Sequence, residues 1–392
     1  MRNQVSGAHF NPAVSFAVFL VNEKFTASDL ACYVATQLVA GFAAAFSYLL
    51  VWGATFTVGP IGDYTWVEAV SVEFHYTAFL VFCVLNTALA RANAGNEYYG
   101  LTIGFTIVAG GYACGKISGG FFNPAIVLAN DVVSWKTGVG YSFLYAAFQL
   151  LGGAAAAGLY RAVRPEEFGG TAQSLVAKLL SEFLGTYMLV LTYGLNALAA
   201  STSDKATAAL SIAASLMCAI YALGSVSGGH FNPAVTLAVC IRKKQEWKEG
   251  FMYMAKQLFA GALGGISFGL ITNHGFKMGP HDNINWGQIV AAEAIFTFVL
   301  AYVVLACCTV RNPLNQFFGL AIGFCIIVGG YSAGGLSGGH LNPAVTFGAA
   351  IAQAIFESTW FYGLGILLYA TAQLGGTRFT FFISTIIFTF LI

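Results

Sequence analysis

One short pattern occurs four times in this chain, and each copy dictates the same local structure. The copies are Ser6-Gly7-Ala8-His9-Phe10-Asn11-Pro12-Ala13, Ser118-Gly119-Gly120-Phe121-Phe122-Asn123-Pro124-Ala125, Ser227-Gly228-Gly229-His230-Phe231-Asn232-Pro233-Ala234 and Ser337-Gly338-Gly339-His340-Leu341-Asn342-Pro343-Ala344. Asn is a favoured helix N-cap, Pro suits the first helical position, and Gly permits a tight entry. Each copy therefore predicts a loop that turns directly into a helix starting at Asn-Pro. The apolar run after Pro343 lasts to about Gln353, roughly 15 Å of helix at 1.5 Å per residue. A bilayer core is about twice as thick, so each of these helices is a half-span.

The bilayer enters the argument through composition. The chain has 392 residues, of which 58% are hydrophobic and only 8% charged, with a mean hydropathy of +0.74. A soluble domain carries about a quarter charged residues, so the reading is an all-α polytopic membrane protein. A net charge of +1 argues against a nucleic-acid partner. The cysteines (Cys32, Cys83, Cys114, Cys218, Cys240, Cys307, Cys308 and Cys325) include no CxxC pair and sit mostly in apolar runs. They read as small buried residues. The opening Met1-Arg2-Asn3-Gln4 runs straight into the first repeat, and no cleavable signal peptide is expected.

Two periods are nested. Asn11 and Asn123 lie 112 residues apart, Asn232 and Asn342 lie 110 apart, and the two pairs are offset by 221 and 219. The chain thus reads as two units, 1–165 and 166–392, separated at the polar stretch Arg161 to Gly170. In unit one, spans are expected near 30–52, 66–90, 99–114 and 139–160. In unit two they are expected near 174–199, 206–226, 250–272, 287–308, 317–332 and from about 358. Unit one contains four spans where unit two has six, because two spans preceding the first motif have no counterpart. The expectation is a truncated N-terminus and a unit one unable to close a pore wall alone.

Charge gives the topology. Arg91, Arg161, Arg164, Arg311 and the cluster Arg242 to Lys248 fall on one side if the linker is cytoplasmic. The opposite loops (53–65, 200–205 and 273–286) are poorer in Lys and Arg. The two motifs of each unit then enter from opposite faces, as in an inverted repeat. Their N-termini meet near the midplane, where helix dipoles place partial positive charge and Asn side chains offer N–H donors. Such a centre orients a neutral solute and repels cations, protons included.

On these motifs the chain resembles a tandem of two aquaporin (major intrinsic protein) units, closest in flavour to the tonoplast type. The resemblance covers nearly the whole chain. It implies an aquaporin-like right-handed helical bundle with inverted repeats and paired re-entrant half-helices. It also implies that Glu73, Glu182 and Glu293 hydrogen-bond the loops carrying the half-helices, and it matches Gln37 and Gln257 to the family's third-span glutamine. An intramembrane carboxylate is otherwise a candidate proton relay, but no chain of ionisable partners accompanies these three. His75 reads as a packing or hydrogen-bonding residue and Lys256 as a snorkelling one.

The family's second checkpoint includes the residue after the second Asn-Pro-Ala, usually Arg. Here it is Val345 in unit two and Ile126 in unit one, although Val also occurs there in some tonoplast-type members. Motif alignment places the other positions at Ile212, Gly330 and Gly339 in unit two and at Gly111 and Gly120 in unit one. An Ile/Gly/Gly/Val ring is apolar and wide, which implies passage of water together with glycerol, urea, ammonia or hydrogen peroxide. Lys116 reads as a solvated vestibule residue that could replace the lost Arg. His340 stands where the family's second motif rarely carries His and could confer pH sensitivity. In the last span, Gly375-Gly376 is matched to Gly152-Gly153, after which Thr377-Arg378 and a Phe/Ile/Thr tail depart from the expected Ala-rich ending.

The expected function is a passive channel. A coupled secondary transporter needs a midplane ion-binding constellation, and a scaffolding membrane protein with a vestigial pore accords with the missing Arg and spans. No nucleophile–base set, metal cluster or phosphate loop suggests an enzyme, and no cofactor is expected. The expected partners are water, small uncharged solutes and the lipid bilayer. Family analogy implies a homo-oligomer of four pore units, such as a dimer of tandems, in a plasma or vacuolar membrane.

Overall fold

The computed structural model describes residues 5–134, 140–199, 205–275, 278–280, 283–310, 313, 315–357 and 363–390. These form fourteen α-helices and no strand among the described residues, in two compact units, Met1–Ala172 and Gln173–Ile392. Arg311, invoked above for topology, lies outside the described residues, as do parts of the loops 200–205 and 273–286.

Unit one contains α1 (Pro12–Val21), α2 (Ala27–Trp52), α3 (Trp66–Val84), α4 (Tyr99–Cys114), α5 (Pro124–Val133) and α6 (Ser142–Val163). A π-helical turn over Leu85–Leu89 ends α3. It presents Asn86 to Arg164, whose Nε donates to Asn86 Oδ1 at 3.0 Å. Arg164 is therefore a buried clamp on the end of α3, only 1% exposed. Arg91 pairs with Glu167 at 3.0 Å and stays in solvent.

Unit two contains α7 (Leu175–Ala199), α8 (Lys205–Ser227), α9 (Pro233–Ile241), α10 (Trp247–Thr272), α11 (Trp286–Cys308), α12 (Phe318–Ser337), α13 (Pro343–Phe356) and α14 (Gly363–Phe390). Among the described residues, eight helices are long and apolar enough to cross a membrane, namely α2, α3 with its π turn, α6, α7, α8, α10, α11 and α12. The short helices α1, α5, α9 and α13 begin at the four Asn-Pro pairs and have 9 to 14 residues, as half-spans require.

Helices in a bilayer gain no hydrophobic free energy by packing on one another, so close backbone approach at small residues matters more. In unit two, α10 packs on α7 and α13, α8 on α12, and α11 on α14. A Cβ added to Gly261 or Gly265 of α10 would overlap the carbonyl oxygens of Ala344 and Gly348 on α13. Unit one repeats the contact at Gly41, where an added Cβ would lie 2.9 Å from Ala125 O.

The last span corrects one sequence expectation. A Cβ on Gly152 would press against Phe74 O, and one on Gly376 against Ala294 O, where Phe74 and Ala294 each follow the span glutamate. Gly152 therefore corresponds to Gly376, and Gly153 to Thr377, one residue off the Gly-Gly match. The chemistry agrees: Gly153 lets the Ala13 carbonyl approach, whereas Thr377 Oγ1 donates to the equivalent Ala234 carbonyl at 3.3 Å. Beyond it α14 continues unbroken to Phe390, with Arg378 exposed and Phe379 packed on Phe298.

The glycine seats yield a test. Gly265→Leu forces α10 off the α13 backbone and is expected to cost roughly 3 kcal/mol or more. Lower thermal stability of the detergent-solubilised protein checks this, with Gly334→Ala, where nothing lies within 4 Å of an added Cβ, expected to be nearly silent.

Candidate pore

Each motif loop is built in an unfavourable backbone conformation. The residue before the motif Asn is left-handed in all four copies: Phe10 at φ 50°, Phe122 at 50°, Phe231 at 49° and Leu341 at 51°. A non-glycine residue costs about 1–2 kcal/mol there and persists only when its surroundings over-determine it. Two sets of hydrogen bonds do so.

The first joins the half-helices tip to tip. Asn232 Nδ2 donates to Leu341 O and Asn342 Nδ2 to Phe231 O, both at 2.9 Å. The left-handed residues are thus the ones whose carbonyls turn to receive the opposite asparagine. Each Asn Oδ1 meanwhile caps its own helix, accepting from Ala234 N or Ala344 N at 2.9 Å. Unit one makes the same reciprocal pair, Asn11 to Phe122 O at 2.7 Å and Asn123 to Phe10 O at 3.0 Å.

The second set converges on a buried glutamate. Glu293 accepts from Ser337 Oγ at 2.6 Å, His340 N at 3.0 Å, Leu341 N at 2.8 Å and Gln373 Nε2 at 2.8 Å. Glu182 receives the equivalent four from Ser227, His230, Phe231 and Gln257, at 2.7 to 3.0 Å. Glu73 receives them from Ser118, Phe121, Phe122 and Gln149, also at 2.7 to 3.0 Å. All three carboxylates are fully buried. Such a carboxylate is tolerable because four donors replace its hydration.

Several partners escaped sequence reading. The serines Ser118, Ser227 and Ser337 and the glutamines Gln149 and Gln373 looked like ordinary span residues. Their signal was positional, because each serine begins a motif copy and each glutamine lies a few residues before a Gly-rich stretch of the last span. Gln37 differs from its matched Gln257: its Nε2 donates to Ser15 Oγ at 2.9 Å, and no described carboxylate reaches it. The motif histidines also have a rule. His9, His230 and His340 each place Nδ1 3.0 to 3.1 Å from the hydroxyl six residues on (Ser15, Thr236, Thr346), whereas the second copy pairs Phe121 with Val127.

Three cavities of unit two share lining residues. On one side a cavity of about 300 Å³ is lined by Tyr193, Asn196, Ile212, Gly330, Gly339 and His340, among others. It shares Tyr193, Ile212, Gly339 and His340 with a central space of about 20 Å³ bordered by Asn232, Asn342 and Val345. That space shares His230 with a third cavity of about 390 Å³, whose wall includes Lys178, Lys243, Lys244 and Glu249. The centre has room for about one water. Its remaining wall is largely Leu and Ile, including Leu189, Leu216 and Ile322.

The four positions of the expected filter do not form one flat ring. Ile212 and Gly339 line both the outer cavity and the centre, Gly330 lines only the outer cavity, and Val345 borders only the centre. Val345 is 2% exposed. Gly339 sits where its Cβ would be 3.1 Å from Gly330 Cα, and unit one pairs Gly120 with Gly111 in the same way, at 3.4 Å. Ile126, the counterpart of Val345, is instead 42% exposed. Lys116 is exposed, His75 Nδ1 lies 2.7 Å from Ser71 O, and Lys256 rests over the Phe259 ring. The cysteines are free, with Cys32 exposed on α2 and not buried as its apolar run suggested.

Paired half-helices within a bundle of spans, bracketed by cavities and meeting at a one-water constriction, define a multi-pass membrane channel. Comparison with known proteins places it further. The major intrinsic protein family profile matches residues 1–160, 99–176 and 170–376. Aquaporin NIP2-1 of Oryza sativa subsp. japonica is 36% identical over 203 residues, 49% of this chain and 66% of that protein. Aquaporin NIP1-1 of Zea mays is 31% identical over 222 residues (53% and 79%), and probable aquaporin NIP4-2 of Arabidopsis thaliana 30% over 197 residues (49% and 70%). The chain belongs to the major intrinsic protein family. It is an integral membrane channel for water and small solutes, not an enzyme.

Removing the carboxylate should expose its role. Glu293→Ala leaves the buried His340 and Leu341 N–H groups without an acceptor, while Ser337 Oγ and Gln373 Nε2 keep only Ala333 O and Thr346 Oγ1, and is expected to destabilise unit two by about 2–5 kcal/mol, at roughly 1–3 kcal/mol per unsatisfied group. Glu293→Gln keeps the shape but turns an N–H₂ toward donors, so a smaller loss is expected. Thermal unfolding of the two variants should rank them in that order, and equal stability of Glu293→Ala and the parent would refute the clamp.

Proposed function

We propose that unit two, residues 166–392, is the conducting unit, and that it passes water together with small neutral solutes such as glycerol, urea, ammonia or hydrogen peroxide. The observation that carries the reading is the pair Asn232 and Asn342 bordering a constriction of about one water. Each Nδ2 spends one N–H on the opposite loop and retains a second for a passing solute. The facing half-helix N-termini add positive potential that disfavours cations and hydronium.

Solute choice is assigned to Ile212, Gly330, Gly339 and Val345. With Val in place of Arg, the wall offers apolar surface and cross-section instead of a fixed charge. Glycerol and urea can then shed water against Ile and Val while their polar groups follow the loop carbonyls and Asn amides. In unit one, Gly111, Gly120 and Ile126 hold the corresponding positions, and Asn11-Pro12-Ala13 with Asn123-Pro124-Ala125 the corresponding centre. Glu73, Glu182 and Glu293 act as loop supports and not as a proton relay, because their oxygens are occupied by fixed donors. Two chains assembling four aquaporin-like units in the plasma or vacuolar membrane complete the proposal.

Stopped-flow light scattering on proteoliposomes tests it. Water and glycerol flux are expected, with no dependence on an ion gradient. Water flux with complete rejection of glycerol, urea, ammonia and peroxide would sink the solute assignment, and absence of all flux would favour a scaffold. Val345→Arg should cut glycerol flux by about ten-fold while sparing water, since a desolvated methylene or hydroxyl contact is worth about 1–3 kcal/mol.

The same assay addresses pH. His340 stacks on Tyr369 at 4.9 Å, meets Tyr193 edge-on at 5.2 Å and bonds Thr346. Although His340 borders the cavity, only 3% of it is exposed, so a charged ring there would be poorly hydrated and permeability should be flat between about pH 5.5 and 7.5, the range in which an ordinary histidine titrates. A step in that range would assign His340 a gating role.

A further inference from the structure

We propose that Asn196 of α7 is a specificity-determining residue of unit two. It holds a fixed hydrogen-bond acceptor toward solutes entering from the outer cavity, and so favours neutral solutes rich in N–H donors, of which urea is the type. The proposal rests on unit two being the conducting unit and selects one class among the solutes assigned to it. The four filter positions cannot supply this function with their side chains, because Ile212, Gly330, Gly339 and Val345 carry no polar group there.

The geometry of the amide carries the assignment. Asn196 is only 3% exposed, and it lines the outer cavity of about 300 Å³. Its Nδ2 donates to Thr192 O, one turn back on α7, and to Ser211 Oγ on α8, both at 2.8 Å. A carbonyl oxygen can only accept, so the contact with Thr192 fixes which end of the amide is nitrogen. Both printed contacts are therefore made by Nδ2, and among the described residues no group donates to Oδ1. A buried amide oxygen without a donor is destabilising, and the cavity is where water or solute can provide one. Two helices hold the amide in place, with Thr192 Oγ1 and Ser215 Oγ 3.3 Å apart one turn further along the same contact. An acceptor fixed this way loses little side-chain entropy when a solute arrives.

The rest of the cavity wall sharpens the choice. Its other polar side chains are engaged within the protein: Tyr193 OH on Gly338 O at 2.9 Å, Ser337 Oγ on Glu293 at 2.6 Å, and Tyr369 OH on Ser337 O at 2.7 Å. His340 Nδ1 lies 3.0 Å from Thr346 Oγ1. No charged residue is among the described residues lining it. With Val345 in place of Arg, the mouth of unit two thus offers a neutral acceptor where a cationic donor is expected. Ile212, Met278 and Ile326 supply apolar surface to the same cavity. A solute with donors along one edge can bond Oδ1 and lay its remaining surface on those side chains. Urea, with four N–H groups and one carbonyl, has that chemistry. The internal repeat shows that the scaffold does not demand an amide here: fourteen residues after Glu73, Glu182 and Glu293 stand Thr87, Asn196 and Cys307.

Stopped-flow light scattering on proteoliposomes holding the intact chain tests the assignment. Urea and water permeability are measured on the same vesicles, and their ratio cancels the number of folded pores. Asn196→Leu is expected to lower the urea-to-water ratio about five-fold, the loss of one neutral hydrogen bond. Asn196→Ser covers the case in which leucine prevents folding. Its hydroxyl can still donate to Thr192 O, as helix serines do, but is too short to stand in for Oδ1, and the same fall is expected. Ser215→Ala removes the neighbouring contact between α7 and α8 at a residue that lines none of the three cavities, and should leave the ratio at the parent value. A parent that passes water but no urea would overturn the proposal and leave the channel reading standing. So would an unchanged ratio in either Asn196 variant that conducts water, or an equal fall in Ser215→Ala. Loss of water flux in both Asn196 variants would assign the residue to holding the bundle and overturn the proposal too. Absence of water flux from the parent would overturn the channel reading, and this proposal with it.

Discussion

A loop inside a bilayer has no water to satisfy its amides, and two such loops form the centre of each unit. The solution is a buried carboxylate that accepts two backbone N–H groups, a serine hydroxyl and a glutamine amide from its surroundings. Each component is costly alone: an ionised carboxylate without water, amides without acceptors, and a left-handed Phe or Leu. Together they satisfy one another, which is why the same four-donor arrangement recurs at Glu73, Glu182 and Glu293 with distances differing by no more than a few tenths of an ångström.

The clamp decides what the asparagines can do. By holding the loop in its left-handed turn, it aims the Phe231 and Leu341 carbonyls at the opposite half-helix. The asparagines are then fixed at both ends of their amides, with Oδ1 on the helix cap and one N–H across the junction. A donor held this way loses little entropy when a solute arrives. Rigidity at the centre and small-residue contacts at Gly261 and Gly265 are two expressions of the same design, in which backbones approach closely and side chains are locked.

The two units differ in how much of this is completed. In unit two both motif loops meet a glutamate, and Gly319, Gly323 and Gly330 of α12 receive residues of α8. Unit one retains the reciprocal asparagine pair and the Glu73 clamp, while the loop before Asn11 keeps its internal hydrogen bonds without a carboxylate among the described residues.

Much of this was legible in the residues. A strong cap, a first-turn proline and a flanking glycine act within a few residues, so the four half-helices and their nested spacing follow from local chemistry, as does the membrane from composition. The unusual carboxylates at Glu73, Glu182 and Glu293 were likewise conspicuous, because a lone charge in an apolar span has few explanations. What escaped were partners whose types are unremarkable: Gln149 and Gln373, the motif serines, and Tyr253 and Tyr369, which hold the serine carbonyls. The one-residue slip at Gly376 arose because two adjacent small residues look alike in sequence, and only the Ala294 and Ala234 carbonyls distinguish them. Val345 was found by its place after Asn-Pro-Ala, but its depth beside the constriction depends on α7, α8 and α12 closing around it. Sequence by itself determined the elements and the residues that must not face lipid bare, since those follow from short-range sterics and solvation. Tertiary structure alone decided which donor meets which acceptor and how narrow the constriction is, since those depend on contacts between residues 44 to 113 positions apart.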